Sequence, residues 1–587
     1  LTINNYDLNT ALSLGGVADQ ESKGTYTLVP ADATGTEDSL TISVGNIGTD
    51  NDVDADLVVS GVETITVKRG STDTDNAKID MTKAKAATII VSGGEATAAS
   101  VTDLDTLSTS TTTVTATSLS GLLAVTASAV STAISYLIGS VNNTVAGGAG
   151  NDTVTIAYDL NGDDVAGKGG VNTLNATLIT DSTEASTNFA VVNYTVGNSK
   201  QITLTGADGK GVDEAVSFSL LGGNSQTTFA NDYVSPAALT TINFSGYTGA
   251  TTSQTFAASQ LVNTMTITGS AGVDTVITTT ANDNAAVAAM SGVEVLTMNV
   301  AGGDSTFNFS KVTGLARLNT DDDDTARSFT ATDLGDNVAV VVTTGVTGST
   351  VVLDLLNKAS ADNAQSITIA TTAADTDVVN LDVDDVETIS IKMSDTAVLD
   401  LSGSAMTTAG ATSTLSLSGT KVATLSAVNT DITTIDASGM STGGGVIQSA
   451  RSTTGAVDYT GSVGNDTFIM TNAGDNLSGG ADGTDTLDIN VAAILGGIQV
   501  DLSATGDQIL SINGGVNTGT VQNFNNVDLA GYTGSFGAIV TAAASGSSIT
   551  GTANTDQITL GLGADTVVIA ASAALNGADA VFSFTPG

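Results

Sequence analysis

The residues of this chain best suited to chemistry are aspartates set in glycine-rich nonapeptides. Gly147 to Thr155 read Gly-Gly-Ala-Gly-Asn-Asp-Thr-Val-Thr and match the pattern G-G-x-G-x-D-x-U-x in full, with U a bulky apolar residue. Glycines permit a tight turn whose carbonyls converge on a cation, and Asp152 adds a carboxylate. Val154 then lies on a short strand facing a core. The expected chemistry is binding of a hard divalent cation, Ca2+, by oxygen ligands from Gly147, Ala149, Asn151 and Asp152.

Variants recur along the chain. Gly139 to Val145 is a decayed copy with Asn in place of Asp, and Gly167 to Asn175 another, with Lys168 for the second glycine and Asn172 for the acid. Gly269 to Ile277 keeps Asp274. Gly461 to Ile469 carries Asp466. Eighteen positions on, Gly479 to Leu487 carries Asp485 and one extra residue. Gly551 to Thr559 and Leu560 to Val568 stand in tandem and supply Asp556 and Asp565. Register, more than any single match, separates such a set from chance in a chain with 65 glycines.

Other acids are weighed beside these. Asp50, Asp52, Asp54 and Asp56 alternate, which puts them on one face if extended or around one ion if looped; a calcium loop is expected. Asp321 to Asp324 are consecutive and splay to opposite sides, so cation loop and solvated run remain open. Asp159 to Asp164 have calcium-loop spacing without the bidentate Glu of an EF-hand. A looser repeat, with Val62-Glu63, Val293-Glu294 and Val386-Glu387 each before an alternating strand, reads as a solenoid rung. Its Glu is expected to be solvated or bonded to the turn.

Such sites need a β framework. The chain has 587 residues, 41% apolar by Ala, Val, Leu, Ile and their like but only 4% aromatic, which suits thin cores between close-packed strands. Stretches such as Thr111 to Thr117 favour strand, and no long segment shows a 3.6-residue apolar period. The expected fold is all-β: irregular parallel β-solenoid or β-roll segments with calcium-binding turns, interrupted by β-sandwich modules. The expected boundaries are an N-terminal β module over 1–135, a calcium-binding stretch over 136–180, a central solenoid over 181–455 and a calcium-binding C-terminal region over 456–587.

Sixty-one acids against sixteen bases give a net charge of −45, so the compact chain repels itself unless cations intervene, and nucleic acid is an improbable partner. There is no cysteine, which leaves metal or repetition to do the stapling. No 18-residue apolar run reads as a membrane span. With no His, neither an H-E-x-x-H metalloprotease nor a Ser-His-Asp hydrolase can be assembled; Gly439-Met440-Ser441-Thr442-Gly443 matches G-x-S-x-G by chance. No Walker A motif occurs. The absence of Trp leaves little sugar-stacking surface for paired carboxylates. No enzyme is expected. Both ends look cut, and the chain reads as the mature or ordered part of a longer precursor.

On its nonapeptides the chain resembles the RTX family of secreted bacterial proteins. By composition over the whole chain, and by motif in the nonapeptides and V-E rungs, it resembles the surface-layer proteins of Gram-negative bacteria exported by type I secretion. That resemblance implies a structural protein outside the cell that assembles with copies of itself into a calcium-stabilised two-dimensional lattice. It also implies fixation to lipopolysaccharide by an N-terminal anchor, which is not recognisable here. A calcium-dependent adhesin, biofilm matrix protein or sheath or fibre subunit is the alternative.

Overall fold

The computed structural model describes residues 1–14, 22–44, 53–70, 76–94, 101–139, 142–157, 163–178, 186–196, 202–204, 217–222, 227–229, 240–248, 251–256, 265–278, 285–300, 304–322, 328–335, 337–343, 349–356, 363–370, 378–384, 386–404, 413–451, 455–491, 496–568 and 579–583. Among them every regular element is a strand, and no helix is long and apolar enough to cross a membrane. The chain is a parallel β-solenoid divided into two compact units. One comprises residues 1–278 and 288–294, the other 279–287 and 295–587.

In the first unit, through Val191–Val196, successive strands alternate between two sheets, with parallel pairing between every second strand along the chain. One sheet begins with Thr2–Tyr6, Ser22–Pro30, Val53–Val59 and Ala77–Ala84 and runs to Ser186–Thr187. The other begins with Leu12–Leu14, Ser39–Val44, Thr64–Arg69 and Thr88–Gly93 and runs to Ala289–Ser291. A shorter ladder joins Ile202–Leu204, Thr227–Phe229, Thr251–Phe256 and Val273–Thr278.

The second unit repeats the scheme. Its sheets run from Val295–Val300 to Val521–Gln522 and from Ala285–Ala286 to Thr566–Val568. A five-stranded sheet closes its C-terminal part, where Ile498–Asp501 and Ile509–Ile512 form the one antiparallel strand pair among the described residues. No β-sandwich occurs among those residues, so the expected interruptions are not seen there.

The period of two along each strand builds the core. In Ser39–Val44 and Thr64–Arg69 alternate side chains are buried, and register stacks them. Leu40, Ile65, Ile89, Val114, Tyr136 and Val154 form one continuous internal column, each of them buried from solvent. Further along, Phe218 of this column meets Tyr194 and Phe244, which lie two residues further along their strands, edge to face, with centroids 5.7 and 6.1 Å apart. Small and β-branched residues suffice because each rung covers only its neighbours. Stability is therefore a sum over rungs, and what joins rung to rung decides it.

Candidate cation-binding turns

The nonapeptide aspartates sit at the entry to short strands and tie neighbouring rungs together. Asp152 precedes Thr153–Ile156. The Gly148 N–H of its own turn donates to Oδ2 at 2.7 Å, and the Ile134 N–H of the preceding rung donates to Oδ1 at 2.8 Å. Asp466 repeats this with Ser462 and Val446, at 2.7 and 2.6 Å. Asp556 does so with Thr552 and Ala538, at 2.8 and 2.7 Å, and Asp565 with Gly561 and Ser547, at 2.9 and 2.8 Å. Asp274 accepts from the Ser270 N–H at 2.5 Å. All but the half-buried Asp565 are nearly inaccessible to solvent. The carboxylate thus satisfies amides at a rung corner that the sheet ladder does not reach.

The ladder continues through other side chains. The Asp466 N–H donates to Asp485 Oδ1, and the Asp485 N–H to Asn525 Oδ1, both at 2.9 Å. In the 136–180 stretch two such ladders interleave. Leu123 N–H donates to Asn143 and Asn143 N–H to Asp163 in one sheet; Ile134 N–H donates to Asp152 and Asp152 N–H to Asn172 in the other. In the V-E rungs the Glu does the same work from one bond further out. Glu63, Glu294 and Glu387 accept from the N–H of Asp38, Asp274 and Asn363 at 2.8, 2.9 and 2.7 Å.

The first glycine of each turn makes room for this. A Cβ at Gly147 lies 2.6 Å from Asp152 Oδ2 and 2.5 Å from the Gly167 carbonyl oxygen of the next rung. At Gly461 the same point meets Gly479 O at 2.3 Å and Asp466 Oδ2 at 2.9 Å. At Gly479 it meets Asn523 O at 2.3 Å and Asp485 Oδ2 at 2.8 Å, and at Gly269 Gly292 O at 1.7 Å and Asp274 Oδ2 at 2.7 Å. In the Asp152, Asp274, Asp466 and Asp485 turns, then, a carboxylate oxygen and a carbonyl oxygen of the next rung both lie within 2.9 Å of the point a Cβ would occupy.

Asn172 shows how such a space is satisfied without a charge. A Cβ on its glycine, Gly167, lies 2.4 Å from Asn188 O and 2.5 Å from Asn172 Nδ2, and the amide donates to Asn188 O at 3.0 Å and Gly169 O at 2.8 Å. Asp475 shows a second solution. It accepts from the Thr471, Asn472 and Val457 N–H groups, yet also takes a bidentate pair from Arg451, Nη1 to Oδ2 at 2.6 Å and Nη2 to Oδ1 at 2.9 Å. Both side chains are buried, and the guanidinium lies over Tyr459, 5.8 Å from its centroid. A turn carboxylate already holding amide donors therefore still accepts a cation.

Burial raises the Asp152 and Asp466 carboxyls above the usual range, against the pull of their amide donors. Burial, helped by the Asp466 charge and opposed by its N–H, pushes Asp485 up to about 7. The extra residue in that turn removes the within-turn amide donor that Asp466 has. Among the described residues no three acidic side chains gather at metal-binding separations. A cation at these turns would take one carboxylate and several carbonyls, a donor set that suits calcium. Grooves of about 570 Å³ beside Asp482, Asp485, Ser503 and Gln508, and of about 610 Å³ along Gly444, Gly464, Asn465 and Gly483, border the Asp485 and Asp466 turns.

The other sequence-predicted residues are placed as follows. Asn151 is exposed and its Oδ1 accepts from the Val171 N–H; the Ala149 N–H donates to Val130 O. Asp54 stands on the extended strand Val53–Val59, in register with Lys78, with Asp56 on the same outer face. Asp50 and Asp52 lie outside the described residues, as do Asp159 to Gly162, Asp323 and Asp324. Sequence reasoning missed the Met470 to Ser478 turn of Asp475, which completes a tandem of three nonapeptides, and the Ala542 to Thr550 turn. There Ser547 Oγ accepts from the Ala543 N–H in place of a carboxylate. No family model matches the chain, and no curated protein matches it.

Proposed function

We propose that this chain is a structural protein of a bacterial surface layer, assembled outside the cell from many copies and stabilised by calcium. The observation that carries the reading is the oxygen pair at the Asp152, Asp274, Asp466 and Asp485 turns: a buried carboxylate facing a carbonyl, where Asn172 places an amide and Asp475 receives a guanidinium. Asp152, Asp274, Asp466, Asp485, Asp556 and Asp565 are the carboxylates that would hold calcium, with turn carbonyls completing the shell. Bound there, the ion supplies the positive charge that lets a rung corner close without a proton.

The net charge of −45 supports the same reading, since an uncompensated chain of this kind resists compaction and a cation-rich exterior relieves it. Extracellular calcium modules have Kd of about 10⁻⁴ to 10⁻³ M. At Kd of about 10⁻⁴ M, 1 mM calcium stabilises each site by roughly 1.4 kcal/mol, and several sites together decide whether the rungs close. A repetitive solenoid presents the same edge and face many times over, which suits a lattice. Type I export and a lipopolysaccharide anchor belong to this reading as well. The test is electron microscopy of the purified chain in millimolar calcium and in excess chelator. Ordered sheets that dissolve on chelation are expected; folded monomers in both conditions would move the reading to a calcium-dependent adhesin or matrix protein, and tubes or filaments to a sheath or fibre subunit.

A further inference from the structure

Charge is segregated between the two long sheets of the first unit. In the sheet that includes Ser39–Val44, register aligns two outward columns, each twelve residues long. One runs from Ser39 through Thr64, Thr113 and Thr153 to Ala289, the other from Thr41 through Thr66, Thr115 and Thr155 to Ser291. No residue of either column is charged; twenty of the twenty-four are Thr, Ser or Asn, and the others are Ile90, Leu137, Val191 and Ala289. Neighbours bond along the column: Asn193 Nδ2 donates to Asn175 Oδ1 at 2.8 Å, and Asn175 Nδ2 to Thr155 Oγ1 at 3.3 Å. Lys68 stands one outward step further along Thr64–Arg69. The other sheet is different. Its outward column reads Asp54, Lys78, Asp103, Ala124, Thr144 and Asp164, with Asp56 beside Asp80 in the next.

We propose that the uncharged face is the surface on which a second copy of this chain docks, face against like face. Two copies at −45 each repel wherever their acids meet, and this face lets them approach without apposing carboxylates. Hydroxyl and carboxamide groups both donate and accept, so such a face is complementary to itself about a two-fold axis; carboxylates accept only. Twelve strands about 4.8 Å apart and two columns about 6.7 Å apart give a patch on the order of 750 Å², the share one partner contributes to a stable interface. This docking rests on the self-assembly reading and names the face it uses.

The test places Thr66→Asp, Thr115→Asp and Thr155→Asp together on this face, and Ala124→Asp, Thr126→Asp and Thr144→Asp together on the other sheet. Assembly in 1 mM calcium is followed by sedimentation and microscopy, with circular dichroism to verify the fold. The first triple is expected to raise the concentration needed for assembly at least tenfold, and the second to leave it within twofold of wild type. A folded first triple that assembles like wild type overturns the docking face, as does equal loss in both triples. Should the first triple not fold, the near-isosteric Thr115→Cys and Ala124→Cys, each the only cysteine in its chain, are treated with a bis-maleimide. Covalent dimers from Thr115→Cys alone support the face; none from Thr115→Cys in an assembled sample overturns it. A wild-type chain that does not assemble at all overturns the self-assembly reading itself.

Discussion

Substituting Asp466 separates the two jobs given to the turn carboxylates. Its Oδ1 holds the Val446 N–H of the preceding rung, and its Oδ2 holds the Ser462 N–H and Oγ–H. Asp466→Ala strands two buried amides, at about 1–3 kcal/mol each, so the rung corner loses roughly 2–6 kcal/mol. Asp466→Asn behaves differently. Its carbonyl keeps the Val446 bond while its amide turns to carbonyl oxygens, as Asn172 does, with Gly479 O as the counterpart of Asn188 O. Its amide nitrogen also faces the Ser462 N–H and strands it, at about 1–3 kcal/mol, while a buried charge is removed, so in chelator Asp466→Asn lies between Asp466→Ala and wild type. In calcium the gap to wild type widens, because the wild type gains about 1.4 kcal/mol that the variant cannot. A solenoid need not unfold in one step, so the assay is local: hydrogen exchange at the Val446 and Ser462 amides with and without calcium. Unchanged protection of both amides in Asp466→Ala refutes the staple. Equal calcium responses of Asp466→Asn and wild type refute the cation site.

Three more perturbations follow from the same geometry. Gly461→Ala drives a methyl to 2.3 Å from a backbone carbonyl, whereas Gly506→Ala meets nothing within 4 Å; local unfolding measured by exchange should become easier by about 2 kcal/mol or more in the first and by no more than about 0.5 kcal/mol in the second. With the Asp485 carboxyl raised to about 7 in the folded chain, the folded state binds more protons than the unfolded. In chelator, stability therefore falls as pH rises from about 4 to about 7, by up to about 4 kcal/mol at that turn, and Asp485→Asn flattens the profile in urea melts read by circular dichroism. Arg451→Met leaves Asp475 charged and buried and should loosen the 471–478 turn by about 3–5 kcal/mol. Adding Asp475→Asn to it recovers part of that loss, a double-mutant test by exchange.

Much of this architecture was legible in the sequence because one collision governs it. Glycine and aspartate recur five positions apart since the aspartate folds back over the glycine, where no Cβ fits. The Asn copies looked decayed, yet Asn143 and Asn172 carry the same inter-rung bond, with the amide nitrogen of Asn172 replacing whatever cation its neighbours would hold. The Asp475 turn stayed hidden because Met470 and Thr471 stand where glycines were sought, and because its cation comes from Arg451, 24 residues earlier. Only the register of stacked rungs brings those two together. Glu63, Glu294 and Glu387 read as solvated or bonded to the turn; the structure shows that they reach the preceding rung, which no local pattern encodes. The division of charge between sheets likewise needs the register, since Thr-rich and Asp-rich strands simply alternate along the chain.

The central claim is that calcium closes the aspartate turns. Its most direct test is hydrogen exchange on chelator-stripped wild-type chain during a calcium titration, with calorimetry on the same sample. The expected result is heat of binding at 0.1–1 mM calcium, in the range of extracellular sites, and protection rising together at the Gly148, Ser462 and Thr552 amides. The Thr471 amide, beside the Arg451-held Asp475, should be protected throughout. No heat and no gain in protection up to 10 mM, about ten times the weakest such Kd, would contradict the claim and leave the aspartates as staples alone.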